Sequence, residues 1–354
     1  MGAGPAAAYL NDSYVFAWRK QTFVSDLIFA IPIAFCQGVG LAVGHPAAGM
    51  IAAGGAMTVG FGSKQSIDRS RLLPMIFAAV GIAFSTFVGM VVGHANFFLV
   101  VFAAFWAFGY GMLTWRPGGY GWVGQQCVVT LLVGSAFPFA AKLAVGRALR
   151  LFHQLRDHLL EMARYVREEE MALRAAVAEV TLTVRQGRFG DSTLAYSLRL
   201  MVTVGVSTEI YRQLHFASGY WIPMTALLVL KPGLADTASR AIARTLGTVA
   251  GAWAVSMLVA HFAPSPVMLA VFTVVFAWLS YATLNVNYAL FAVFLTGHIV
   301  FLLSLASIPG AEIAHRRALC TALGGAIALT VRLIAIRRRK KAVSVQGSEL
   351  SERN

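Results

Sequence analysis

A chain of 354 residues that is 58% hydrophobic and only 12% charged has too few polar groups to cover a water-soluble domain of its size. Its apolar runs recur near the roughly 20 residues that cross about 30 Å of hydrocarbon, and they do not alternate, which excludes a transmembrane β-barrel. The net charge of +14 gathers in short loops and in the run Arg337-Arg338-Arg339-Lys340-Lys341, so it is read as the positive-inside bias and no nucleic-acid partner is expected.

In chain order, Met1 to Trp18 lacks the basic start, apolar core and small-residue site of a cleavable signal, so the first span is expected to insert the chain itself. Arg19 and Lys20 before that span place the N-terminus in the cytoplasm, and residues 1–21 are read as a cytoplasmic segment. Six spans follow in a first transmembrane set, 22–152: Thr22–Val43, Pro46–Gly62, Leu72–Val92, Phe97–Leu113, Gly119–Ala136 and Phe137–Phe152. Lys142, Arg147 and Arg150 interrupt the sixth, which is either a crossing or a re-entrant hairpin. Residues 153–193 form a helical linker, with Leu155, Leu159 and Met162 continuing an apolar stripe from Leu151. That amphipathic cytoplasmic helix is a connector, or a docking surface or gate.

A second set, 194–336, is read as Leu194–Leu214, Tyr220–Leu230, Leu246–Phe262, Pro266–Leu284, Tyr288–Ala306 and Ala311–Ile336, with Ala235–Arg244 as a cytoplasmic loop and 337–354 as a basic cytoplasmic tail. The expected fold is therefore an all-α polytopic bundle of about twelve spans with both termini cytoplasmic. Residues 105–113 align with 276–284, matching Phe, Tyr and Leu, and the same offset puts Arg69 on Arg240 and Gly62 on Gly233. That predicts two parallel six-helix repeats, with the substrate path between them.

Charges inside such a chain are expensive and point to function. Arg199, Glu209 and Arg212 decorate one span; Glu209 is either a proton carrier or a local ion-pair partner of Arg212, and Asp26 is a second proton-carrying candidate. Tyr220 and Trp221 open a short span that Lys231-Pro232 closes, an arrangement that suits a substrate site or a pair of interfacial anchors. Arg240, Arg244, Gly247 and Gly251 fall within about 60° of helix surface, and the two glycines admit a second helix closely. Arg244 is either drawn inward by that contact or a loop marker, as Arg240 is. His298 reads as a hydrogen-bonded core histidine, and His315, Arg316 and Arg317 as an outer anion mouth or headgroup contacts. Cys36, Cys127 and Cys320 are scattered core thiols; with no Walker loop, zinc-protease motif or nucleophile elbow, no enzyme activity, metal or cofactor is expected.

The order Arg199, Tyr220-Trp221, Pro223, Thr225, Lys231-Pro232, Arg240, Arg244, Gly247-Thr248 and Gly251 resembles the fusaric-acid-resistance, or FUSC, family, also described as aromatic acid exporters. The likeness is sharpest over Leu194 to Ala260, and plant malate channels look like more distant relatives. It implies an inner-membrane, proton-driven pump for aromatic or related organic acids, sometimes paired with a periplasmic adaptor protein. The chain departs from the pattern in its first half, where Leu73 and Ile76-Phe77 stand at the positions of Arg244 and Gly247-Thr248, and it lacks the large soluble regions of the longest exporters.

The combined reading is an efflux transporter of small organic, aromatic carboxylic anions in the bacterial inner membrane, surrounded by lipid and acting alone or as a homodimer. Arg199, Lys231 and Arg244 would attract the carboxylate, Tyr220, Trp221 and Thr225 would complete the substrate site, and Glu209 or Asp26 would exchange the proton. A passive organic-anion channel and a non-transporting membrane scaffold are the alternatives.

Overall fold

The computed structural model describes residues 8–137, 191–214, 218–262, 264–305 and 310–352. The linker up to Gly190 and all of Phe137–Phe152 beyond its first residue lie outside them. Thirteen α-helices make up the described fold: α1 (Asn11–Tyr14), α2 (Phe23–Asp26), α3 (Ala30–Ala42), α4 (Pro46–Gly62), α5 (Leu72–Val92), α6 (Phe98–Leu113), α7 (Tyr120–Ser135), α8 (Asp191–Leu214), α9 (Trp221–Val229), α10 (Leu234–Phe262), α11 (Pro266–Thr283), α12 (Tyr288–Ser304) and α13 (Gly310–Glu352).

Local chemistry sets many of their ends. The Ser70 hydroxyl accepts from the amides of Leu72 and Leu73 at the start of α5, and Gly93 ends it at φ 70, where a side chain would be strained. Ser265 caps α11 with Pro266 behind it, and Asn287 caps α12 by accepting from the Leu290 amide at 2.9 Å.

Polarity is inverted relative to a soluble protein. Ile31, Phe35, Phe84, Phe105 and Trp253 are exposed, whereas Thr225, Arg244, Thr248, Thr296 and Arg317 are buried. In lipid that costs nothing on the outside and concentrates polar groups inside the bundle. Five described helices are long and apolar enough to cross a membrane: Trp18–Ala42, Leu72–Val92, Leu234–Val259, Pro266–Thr283 and Glu312–Arg337, with shorter apolar helices at Ala48–Gly62, Phe98–Leu113 and Tyr288–Ser304. The protein is thus an integral membrane protein. Where the sequence predicts twelve crossings, α9 has only nine residues, about 13 Å of helix, too little to cross alone.

The chain forms two compact units, Met1–Met57 with His215–Asn354, and Thr58–Leu214. These cut across the two predicted sets of spans. In the first unit α3 packs on α11, whose Tyr281 hydroxyl donates to the Met57 carbonyl of α4 at 2.6 Å and whose Trp278 indole donates to the Phe23 carbonyl of α2 at 2.7 Å. In the second, α8 packs on α6, with Gly111 against Ser197. At the offset that relates residues 105–113 to 276–284, α6 falls on α11 and α3 on α8.

Candidate functional site

The first unit places its polar core around α9. Every residue of α9 except Leu228 is buried, as expected of a short helix that is apolar all round. Its partner α13 comes so close at Gly324 that a Cβ there would overlap the Ile222 carbonyl and stand 2.8 Å from the Thr225 Cβ. The helix stops at Leu230, which turns extended ahead of Lys231-Pro232. The Thr237 hydroxyl pins that turn, accepting from the Lys231 amide at 3.0 Å and donating to the Gly233 carbonyl at 2.7 Å.

Beside α9 lies Arg317, the largest fully buried side chain among the described residues, 1% exposed. Its guanidinium sits 3.9 Å from the centre of the Trp221 ring, and its Nε donates to the Thr296 hydroxyl at 3.3 Å. Trp221 in turn lies 5.1 Å from the Tyr220 ring. Arg244, 3% exposed, is close enough to Arg317 to repel it, and its Nη1 reaches the Tyr288 hydroxyl only at 3.5 Å. Neither arginine has a carboxylate partner among the described residues, and Arg317 Nη1, Arg244 Nε and the Thr225 and Thr248 hydroxyls have no hydrogen-bond partner there. Two buried, uncompensated cations thus stand beside three aromatic rings, a chemistry that suits an anion with an apolar or aromatic body.

Arg244 is not a loop residue. The sequence reading places Ala235–Arg244 in a cytoplasmic loop, but α10 begins at Leu234, which puts Arg244 about 15 Å along the helix axis. Gly247 and Gly251 face α12: a Cβ on Gly247 would overlap the Ala289 carbonyl, and one on Gly251 would stand 2.6 Å from the Val293 carbonyl oxygen. That close approach carries Tyr288 and Thr296 to the arginines. Arg240, one turn earlier, lies 3.7 Å from the Tyr288 ring centre and 3.5 Å from the Asp12 carboxylate.

Tyr220, Trp221, Thr225, Lys231, Arg244, Gly247, Gly251 and Asp26 belong to the first unit, whereas Arg199 and Glu209 belong to the second. Arg199 lies near Tyr196 there. Glu209 is gripped by Arg212 at 2.6 and 2.8 Å and accepts from Gln213, so its carboxylate is held in the charged form. Asp26 is buried and accepts from the Thr22 hydroxyl. His298 is buried with Nδ1 3.0 Å from the Thr273 carbonyl. Among the described residues no three His, Cys, Asp or Glu could hold a metal ion.

Sequence reasoning missed Arg317, Tyr288 and Thr296. His315, Arg316 and Arg317 read as one outer basic cluster, yet Arg316 is only partly buried and paired with Glu312 while Arg317 is fully buried. A neighbour in sequence is 100° away on a helix. The available signal was the spacing Arg317, Thr321, Gly324, which repeats the charged-and-small face of Arg244, Thr248, Gly251.

Lys231 is the site's titrating cation. Burial, and then repulsion from Arg240, draws its ammonium down to about 8 against the pull of Asp12 and Asp236. Anion affinity is therefore expected to fall as pH rises through about 8, and Lys231→Met should flatten the profile between about pH 7 and pH 9. Stability moves oppositely: it rises from about pH 8 towards the ordinary lysine value of 10.5, because in that window only the unfolded chain still holds the proton. Calorimetric titration with benzoate across the range, with thermal unfolding alongside, checks both signs.

The "Uncharacterized protein slr1298" of Synechocystis sp. (strain ATCC 27184 / PCC 6803 / Kazusa) is 27% identical over 156 residues, 44% of this chain and 20% of that protein. The chain thus matches only a fifth of that relative's length. No solved structure matches. Residues 206–331, which include α9 to α12, Arg244 and Arg317, match the family described as fusaric acid resistance protein-like. That likeness spans just over a third of the chain.

Proposed function

We infer that the protein is a transporter that exports small organic anions, aromatic carboxylic acids foremost, across the inner membrane. One observation carries the reading: Arg244 and Arg317 are buried together without a described carboxylate, next to Tyr220, Trp221 and Tyr288. A structural arginine in a bundle would carry its counter-ion with it, since an uncompensated buried charge costs several kcal/mol. A carboxylate that arrives as cargo supplies the missing charge, and an aromatic body replaces the ring contacts. The family description is consistent, because fusaric acid is itself an aromatic carboxylic acid.

Closing Trp221 over Arg317 leaves the guanidinium covered by the indole, so substrate must exchange with that ring. In the export cycle Lys231 and Arg240 draw the carboxylate in, and Arg244 and Arg317 receive it. Asp26 is the better candidate for proton exchange, because Glu209 is engaged by Arg212. That same engagement favours a second reading, a passive anion channel. Pairing with a periplasmic adaptor and formation of a homodimer remain part of the export proposal.

Proteoliposomes loaded with labelled phthalate test the reading, since its two charges keep passive leak low. The expected result is protein-dependent release that Arg244→Ala lowers about 10-fold or more, as loss of a charge-assisted hydrogen bond predicts. A matching proton flux reported by an internal pH dye indicates an exchanger, and anion current without it indicates the channel. Release no faster than from empty liposomes, for phthalate and for succinate alike, overturns both.

A further inference from the structure

On the unit that holds Arg244 and Arg317, a cavity of about 490 Å³ opens at the Lys231 end of α10. Lys231, Ser239 and Arg240 line one side of it, with Asp236 between them, and Asn11 and Asp12 close the other. Polar contacts fasten the N-terminal segment over this cavity. The Asp12 amide donates to the Ser239 hydroxyl at 2.8 Å, and the Asp12 carboxylate lies 3.5 Å from Arg240. The Ala17 amide donates to the Val286 carbonyl at 2.9 Å, and the Asn287 amide side chain donates to the Val15 carbonyl at 2.9 Å.

The attachment has the character of a latch. Tyr14, Phe16 and Trp18 on this segment are each 46–54% exposed, so little apolar burial holds it down. The charge count points the same way. With the segment in place, Lys231 and Arg240 are balanced by Asp12 and Asp236; once Asp12 leaves, one positive charge is uncompensated. Arg240 is also the link to the deep site, because it shares the Tyr288 ring with Arg244.

We propose that this cavity is the vestibule subsite for the carboxylate of the transported anion, and that residues 11–17 are a tethered plug whose Asp12 carboxylate occupies it until cargo displaces it. The proposal rests on the anion reading of the Arg244 and Arg317 site. An aromatic monocarboxylate matches the displaced group in charge, and its ring can take the face of Tyr288 that Arg240 now covers. Export would then start only when cytoplasmic anion concentration is high enough to compete with a carboxylate held on the same chain.

Calorimetric titration of the full chain in lipid nanodiscs with benzoate tests it, using wild type, Asp12→Asn, Asp12→Asn with Arg240→Gln, and Arg317→Met. Asp12→Asn should bind benzoate about threefold to fivefold more tightly, the scale of losing a partly exposed ion pair as competitor. The added Arg240→Gln should remove that gain. Unchanged affinity in Asp12→Asn, or a gain that survives Arg240→Gln, overturns the plug. If Arg317→Met abolishes binding in the same series, the anion reading stands while the plug alone falls. Absence of benzoate binding in both wild type and Asp12→Asn removes the two together, whereas binding seen only in Asp12→Asn supports a plug that fully occludes the wild type.

Discussion

Replacing Arg317 by methionine should lower phthalate release from proteoliposomes by about 30-fold or more, the consequence of losing 2 kcal/mol or more when a buried charge partner is truncated. The same variant should be as stable as the wild type or more so. Methionine is close to arginine in length and needs no counter-ion, and exchanging buried charges for apolar groups of similar volume is often neutral or stabilising by about 1–4 kcal/mol. Against that stand the Trp221 ring contact, about 2 kcal/mol when desolvated, and one long hydrogen bond to Thr296. The desolvation relief is at least as large, so thermal unfolding should not shift downward. A less stable Arg317→Met protein that still transports would make Arg317 a structural group and remove the main support for the site.

Gly247→Val should destabilise the first unit by about 1–3 kcal/mol, the usual range for overpacking, or more if α10 and α12 are forced apart. The reason is geometric: a Cβ at Gly247 meets backbone, the Ala289 carbonyl, with the Ala292 Cβ at 2.7 Å. Backbone cannot rotate out of the way as a side chain can. Because that contact brings Tyr288 to Arg244, the surviving folded protein should also transport poorly. Gly325→Ala, whose Cβ would sit 3.5 Å from the Ala241 Cβ in ordinary contact, should be tolerated and serves as the control. Thermal unfolding of both variants in detergent checks the difference.

Much of the helical order was legible because hydrophobic run length reports membrane helices directly. Pro46–Gly62, Leu72–Val92 and a start at Pro266 are the same in sequence and structure. Hydropathy failed at α10, whose first twelve residues carry Asp236, Arg240 and Arg244 and therefore read as loop; only burial reveals that Arg244 is interior. It also overestimated α9, since the apolar run Tyr220–Leu230 is long enough to suggest a span but too short to be one. The Lys231 and Arg244 candidates came from charge in an apolar setting, and Trp221 from an aromatic ring at the start of a short span. Arg317 needed a helical phase that the adjacent Arg316 obscures, and Asp12 needed a contact across 227 residues of sequence between it and Ser239. Pairing of α3 with α11 and α8 with α6 was illegible for a related reason: periodicity marks a face as one that packs, without naming what packs on it.

Electron cryo-microscopy of the full chain in nanodiscs with 4-iodobenzoate would show whether the paired arginines hold an anion, because iodine marks the ring and fixes the direction of the carboxylate. A carboxylate is expected about 3 Å from the guanidinium nitrogens of both Arg244 and Arg317, with the Trp221 ring moved off Arg317. Iodine found only on lipid-facing surfaces, with Trp221 still 3.9 Å over an unliganded Arg317, would contradict it.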